Sequence, residues 1–268
     1  MSARARPGFP LRLGGGEAAR TVAGAPPSVP RAAVAVPLRG AALQTPQGVG
    51  LDSQAVRQAM VQRIAAQGVR DARVLQAMAQ VERHRFVDTA LVPQAYEDTS
   101  LPIGLGQTIS KPSVVARMLE LLLAAPGVQA GARMGRVLEI GTGCGYQAAV
   151  LSLLVQEVYS IERLRGLHEK ARAHLRPLRL PNVHLLLGDG MLGYAAGAPY
   201  AGIIAAAGGD AVPAAWVEQL AIGGRLVAPV ATRSGGAQAL LVLDRTATGV
   251  RHAVLEAVHF VPLKSGVA

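Results

Sequence analysis

Arg136-Val137-Leu138-Glu139-Ile140-Gly141-Thr142-Gly143-Cys144-Gly145-Tyr146 joins an apolar run to a turn with glycine at every second position. Arg136 to Ile140 has the make-up of a buried strand, and the pattern Gln147 to Val155 that follows reads as a helix. Gly141, Gly143 and Gly145 carry no Cβ, so the backbone can pass close under a ligand. A helix opening at such a turn aims N–H groups and the positive end of its dipole at whatever the turn holds. The stretch therefore predicts an α/β fold built around a nucleotide-type cofactor site.

The spacing bears on which cofactor. A dinucleotide fingerprint, G-x-G-x-x-G, wants its third glycine one residue later, where this chain has Tyr146. With Glu139 before the turn, the run instead resembles E/D-x-G-x-G-x-G, the pattern of S-adenosylmethionine methyltransferases. Val158 to Ile161 reads as a second strand ending at Glu162. Taken alone, Glu162 is one more solvated charge in Glu162-Arg163-Leu164-Arg165. Placed one βαβ unit after the glycine turn, it is where a doubly wound sheet brings a carboxylate to ribose hydroxyls. A third strand, Val183 to Leu187, ends in Gly188-Asp189-Gly190 and brings Asp189 to the same edge, placed to meet an adenine amino group.

Strand-like runs at 136–140, 158–161, 183–187, 201–206, 224–230 and 239–243 are separated at first by helical stretches, which predicts a mostly parallel sheet covered on both faces. The runs 239–243 and 254–261, joined by the short connection 244–253, predict an antiparallel C-terminal end. Ahead of the core, Val56, Met60, Ile64 and then Val74, Met78, Val81 recur at helical spacing, with Gly68 between two helices. The expected organisation is a single domain over 51–268, with N-terminal helices and a site loop in 51–112 and a Rossmann-like core in 113–268. Its 268 residues, half of them hydrophobic, suffice for one α/β core with an extension.

The formal charge of +10 raises nucleic acid as a partner, but its distribution argues otherwise. Residues 1–50 hold Arg4, Arg6, Arg12, Arg20, Arg31 and Arg39 against Glu17 alone, in an Ala, Pro and Gly-rich segment with no sustained period. That segment is expected to be disordered, a solvated leader or the product of an upstream start. Cys144, the one cysteine, cannot close an intramolecular disulfide and lies in the cofactor turn. With no long apolar run and no signal-type segment, a cytoplasmic protein with no membrane partner and no metal is expected.

Leu101-Pro102-Ile103-Gly104-Leu105-Gly106-Gln107-Thr108-Ile109-Ser110-Lys111-Pro112 reads as an ordered loop leading into a helix over 113–123. Ser110 stands where it could cap that helix, and equally where it could present a hydroxyl to a substrate.

Leu101 to Ser110, the LEIGTGCGYQ run, Ile161-Glu162-Arg163, Gly188-Asp189-Gly190 and Phe260-Val261-Pro262-Leu263 together resemble the bacterial protein-L-isoaspartate O-methyltransferases, in order over roughly 51–266. The resemblance implies a class I methyltransferase fold and a repair activity. The α-carboxylate of L-isoaspartyl residues in damaged proteins and peptides is methylated from S-adenosyl-L-methionine, and the ester closes to succinimide. It implies Ser110 as the catalytic residue, orienting the substrate carboxylate. Thr108, Ile109, Glu139, Gly141 and Gly143 would lie at the methionine end of the cofactor, Glu162 at the ribose, and Asp189 and Gly190 at the adenine, with Arg163 also binding the cofactor. A monomer is expected, since such an enzyme must reach exposed segments of many partners.

Two departures stand out. Ser113 replaces a larger aromatic or histidine, and Ala206-Ala207-Gly208-Gly209-Asp210 replaces an Ala-Ala-Pro-Pro turn, which predicts a looser loop at the substrate entry. Among rival readings, a nucleic-acid amino-methyltransferase would show an Asn/Asp-Pro-Pro-Tyr/Phe motif after the fourth strand, and Ile203 to Gly209 has none. An O-methyltransferase acting on a small-molecule carboxylate is the nearest alternative.

Overall fold

The computed structural model describes residues 54–129, 131–232 and 237–268; the basic segment 1–50 lies outside them. Two helices, α1 (Gln54–Ala66) and α2 (Ala72–Gln80), precede a small antiparallel hairpin, β1 (Leu101–Gly104) and β2 (Gln107–Ile109). Then follow α3 (Pro112–Leu123), β3 (Met134–Ile140), α4 (Tyr146–Leu154), β4 (Val155–Glu162), α5 (Arg165–Leu175), β5 (Val183–Leu187), β6 (Tyr200–Ala205), α6 (Ala214–Gln219), β7 (Leu220–Ala231), β8 (Gln238–Thr246) and β9 (Gly249–Val258).

The main sheet runs β5-β4-β3-β6-β7-β8-β9. Its first five strands are parallel, β8 is antiparallel to β7, and β9 is antiparallel to β8. Strand order reverses on either side of β3, so the carboxyl end of β3 is the switch point where α/β sheets bind ligands. Period-two alternation divides the core. Val137, Val158, Ile204 and Val227 face α3, α4 and, beyond them, α1 and α2. Leu138, Ile140, Ile161, Ile203 and Leu226 face Trp216 of α6 on the other side. Helix α4 is buried almost all round, because it lies between the sheet and α2.

The expected C-terminal end differs in extent. The connection between β8 and β9 is not 244–253 but a tight turn at Ala247-Thr248, and β9 ends before Phe260. Charged residues hid these strands from a reading by hydrophobicity. Asp244 on β8 lies opposite Arg225 on β7, and the two make paired hydrogen bonds of 2.6 and 2.8 Å. Such a fork-to-carboxylate pair lets charges sit within a sheet.

Candidate active site

A cleft of about 200 Å³, open to solvent, lies past the carboxyl ends of β3 and β4 and beneath the β1–β2 hairpin. Gly141, Thr142 and Gly143 form its floor, Glu162 to Leu164 and Gly190 one side, and Ala206, Ala207 and Val261 to Lys264 another. Ile103, Leu105 and Gln107 to Ser110 form its roof. The hairpin tip is unusual: Leu105 has φ +52° and is 62% exposed, a backbone state that costs a side-chain-bearing residue free energy and recurs at ligand-contacting loops.

The glycine turn takes the shape its sequence predicts. Gly141 has φ +89° and Gly143 φ +57°. A Cβ at Gly143 would come within 3.1 Å of Ile103 on the roof. The amides behave differently from expectation. Those of Gly141 and Thr142 donate to Ile161 O, that of Gly143 to Glu162 Oε2 and that of Gly145 to Thr142 O. The turn thus offers a ligand its close-passing backbone, while these four N–H groups hold the turn itself in place.

Glu162 is buried at the end of β4, one residue past the last β3–β4 pair, Ile140 and Ile161. Its Oε2 accepts from Gly143 N and its Oε1 from Leu164 N, both at 2.9 Å. Each oxygen keeps a lone pair for a ligand hydroxyl. Gly190 lines the cleft, and a Cβ there would meet Ile140 at 2.6 Å. Trp216 donates its indole N–H to Gly190 O at 2.8 Å from beneath. Arg163 and Asp189 are engaged by the chain's own tail. Arg163 lines the cleft, but its Nε donates to Gly266 O, while Asp189, outside the lining, accepts from Gly266 N at 2.7 Å and from Met191 N.

Glu139 lies fully buried below the turn rather than on the cleft wall. Ser160, its partner in the β3–β4 register, donates to Glu139 Oε2, and Thr142 Oγ1 lies 2.6 Å from Ser160 Oγ. Glu139 Oε1 and Gln147 Nε2 are buried without a partner among the described residues. Burial, outweighing the hydrogen bond from Ser160 and the nearby Gln147 amide and aided by Glu162, pushes the Glu139 carboxyl up from 4.5 to about 8. An unfolded chain releases this proton near 4.5, whereas the folded chain retains it to about 8. The stability the group contributes is therefore complete below the lower value and is lost as pH rises to the upper one. The melting temperature of the parent minus that of Glu139→Gln should fall across this window in the ligand-free protein. A difference independent of pH would contradict the assignment.

Ser110 follows β2 and lines the cleft, and its hydroxyl has no hydrogen-bond partner among the described residues. The sequence left open whether it caps α3. It does not: Asp98 takes that work from a distance, accepting from Ser113 N at 2.9 Å and from Ser113 Oγ at 2.8 Å. Ser113, in turn, is held by Asp98 and does not line the cleft. Next to Ser110, Ile109 is buried and Thr108 is exposed at the roof.

The 206–210 turn is tied down, not loosened. Gly208 N donates to Val261 O and Leu263 N to Gly208 O, while Gly209 N donates to Pro229 O and Ala231 N to Gly209 O. Prolines at these positions would have no N–H to give. A Cβ at Gly208 would meet the Gln238 amide at 2.4 Å, and that amide is itself bonded to both the N–H and the C=O of Phe260. Reading by sequence missed Asp98 and Gln238, because each acts on residues distant in the chain and neither stands in a motif.

Comparison with known proteins agrees with this geometry. Residues 54–268 match the family model "Protein-L-isoaspartate(D-aspartate) O-methyltransferase (PCMT)". A protein-L-isoaspartate O-methyltransferase of Methylibium petroleiphilum is 58% identical over 274 residues, covering 99% of both chains, so the alignment takes in the basic N-terminal segment. That of Leptothrix cholodnii is 59% identical over 223 residues, 82% of this chain and 77% of its own. A solved protein-L-isoaspartate O-methyltransferase superposes with a TM-score of 0.69 at 28% identity, covering 79% of this chain and 67% of that one. A Plasmodium falciparum structure described as a beta-aspartate methyltransferase in complex with S-adenosyl-L-homocysteine shares the fold, with a TM-score of 0.67 at 22% identity over 78% of this chain and 98% of its own. With its glycine turn, strand-end carboxylate and serine-bearing hairpin arranged around one cleft, the chain belongs to the protein-L-isoaspartate O-methyltransferase family.

Proposed function

We propose that this protein repairs damaged polypeptides by methylating the α-carboxylate of L-isoaspartyl residues, with S-adenosyl-L-methionine as donor. The observation that carries the reading is the Ser110 hydroxyl on the cleft wall, without a partner among the described residues, in a chain of this family. The residues present fit the donor. The turn at Gly141 and Gly143 leaves no side chain in the way, Glu162 retains acceptor capacity, and Gln147, which lines the cleft, holds a buried amide nitrogen without a partner among the described residues. Glu139, Gly141, Gly143, Thr108 and Ile109 are assigned to its methionine end, Glu162 to its ribose, Asp189 and Gly190 to its adenine, and Arg163 to the donor site as a whole. For Arg163 and Asp189 this assignment requires the tail at Gly266 to share or yield their polar atoms.

When bound, the donor supplies a methyl group activated by a sulfonium. The chain need not supply a base, because a carboxylate is already ionised and nucleophilic at neutral pH. What remains for it is placement, and orientation can contribute on the order of 7–11 kcal/mol to such a step. Ser110 donates its hydroxyl to the substrate carboxylate and fixes its direction of approach. The roof residues Ile103 and Leu105 exclude water from one side. The methyl ester, once released, closes to succinimide without the enzyme, and hydrolysis returns part of it to normal aspartate.

We assign residues 51–112 to helices and the site loop and 113–268 to the core of one domain. No helix among the described residues is long and apolar enough to cross a membrane. A cytoplasmic monomer is the working form we assign, supported by a single cysteine that is buried.

Labelled donor offered with two matched peptides, one isoaspartyl and one aspartyl, tests the reading. Base-labile label on the isoaspartyl peptide alone is the expected result. Label on free carboxylic acids, with neither peptide modified, would instead favour the small-molecule alternative.

A further inference from the structure

Arg83 begins the 3-10 turn Arg83–Phe86 and is completely buried, with no ion pair among the described residues. Its Nε donates to Ala95 O at 2.8 Å, and one terminal nitrogen donates to Ser110 O at 2.8 Å and reaches Thr99 O at 3.5 Å. The guanidinium carbon lies 4.9 Å from the ring centre of Tyr146, the first residue of α4. The other terminal nitrogen has no partner among the described residues.

An arginine buried without a carboxylate and with one donor unmet is a cost to folding. Burial holds its pKa below the usual arginine range, although the aromatic neighbour Tyr146 opposes that shift. The compensation is geometric. A planar fork reaches carbonyls from residues 95 to 110 at fixed angles while its face rests on the ring that follows Gly145. It therefore spans the two parts of the cleft that must agree in position: the segment carrying Ser110 and the helix that opens from the glycine turn.

We infer that Arg83 is a positioning residue for methyl transfer, a clasp that fixes Ser110 relative to the glycine turn through the Ser110 carbonyl and the Tyr146 ring. This rests on the reading of Ser110 as the hydroxyl that orients the substrate. Lysine keeps the charge but loses the fork, and glutamine keeps a donor but loses the charge.

The test is a double-mutant cycle on the full chain. Arg83→Lys, Arg83→Gln and Ser110→Ala are made singly, and each Arg83 change is combined with Ser110→Ala. kcat and KM are measured for an isoaspartyl peptide, and Kd for S-adenosylhomocysteine. Arg83→Lys should lower kcat by roughly tenfold, since misplacement by a fraction of an ångström is costly. Its effect on the Kd for S-adenosylhomocysteine should stay within about twofold, because the glycine turn is held by its own contacts. In the Ser110→Ala background the same change should lower kcat by less than about twofold, the sign of two residues acting through one interaction. A full tenfold loss in that background would overturn the clasp while leaving the serine reading intact. A Ser110→Ala enzyme as fast as the parent would overturn the serine reading and the clasp with it. Arg83→Gln gives the same comparison should the lysine variant fold poorly.

Discussion

Ser110→Ala is expected to lower kcat for an isoaspartyl peptide by about 10²-fold, the scale of a lost orienting contact. Affinity for S-adenosylhomocysteine and the melting temperature should hardly change. The structure makes the second expectation as strong as the first. A serine that capped α3 would on removal cost about 1 kcal/mol of stability. Here Asp98 satisfies Ser113 N, and the Ser110 hydroxyl bonds to nothing among the described residues. Truncation therefore removes a group the fold does not use. A drop in melting temperature with kcat preserved would return Ser110 to the role of a cap. Residual turnover in the variant is expected, because the hydroxyl orients an acceptor and attacks nothing.

Glu162→Gln should weaken S-adenosylhomocysteine binding by about 10²-fold and lower the melting temperature. Both oxygens of the buried carboxylate accept backbone N–H groups, from Gly143 and from Leu164. An amide has one oxygen, so its NH₂ must face one of those donors. Leaving a buried donor unmet costs about 1–3 kcal/mol, and every 1.4 kcal/mol is tenfold in affinity where the same contact shapes the site. If glutamine turns its NH₂ to Gly143, the floor of the cleft shifts; if to Leu164, the start of α5 does. Calorimetric titration decides the matter, and an affinity within about threefold of the parent would show that Glu162 is a structural carboxylate only.

The parts of this molecule legible in the sequence are those written within a few residues of one another. Gly141 to Gly145, following an apolar strand and preceding a helix, predict both the turn and its position in the sheet, and the dihedral angles follow. Gly68 between two runs of apolar residues at helical spacing marks the break between α1 and α2. What escaped the reading depends on contacts across long stretches of chain. The cap on α3 comes from Asp98, fifteen positions before Ser113. The turn at Gly208 and Gly209 is held by Pro229 and by the segment 261–263, so missing prolines did not predict its stiffness. Strand β9 carries polar residues on an edge exposed along most of its length, and hydrophobicity alone placed it several residues too late. Arg83 stood in an unremarked run of charges, and only the fold reveals that its side chain is turned inward.

The chain holds one tryptophan, and it is the residue that supports Gly190 from below. Indole emission responds to the polarity and hydrogen bonding of its surroundings, and here all of it comes from a single buried ring beside the adenine end assigned to the cleft. The protein thus contains its own optical reporter at one rim of the site, in a background free of other indoles. Occupancy of that rim can be followed in the unmodified chain, at equilibrium or in a stopped-flow mixer, with no label attached to the enzyme or to the peptide.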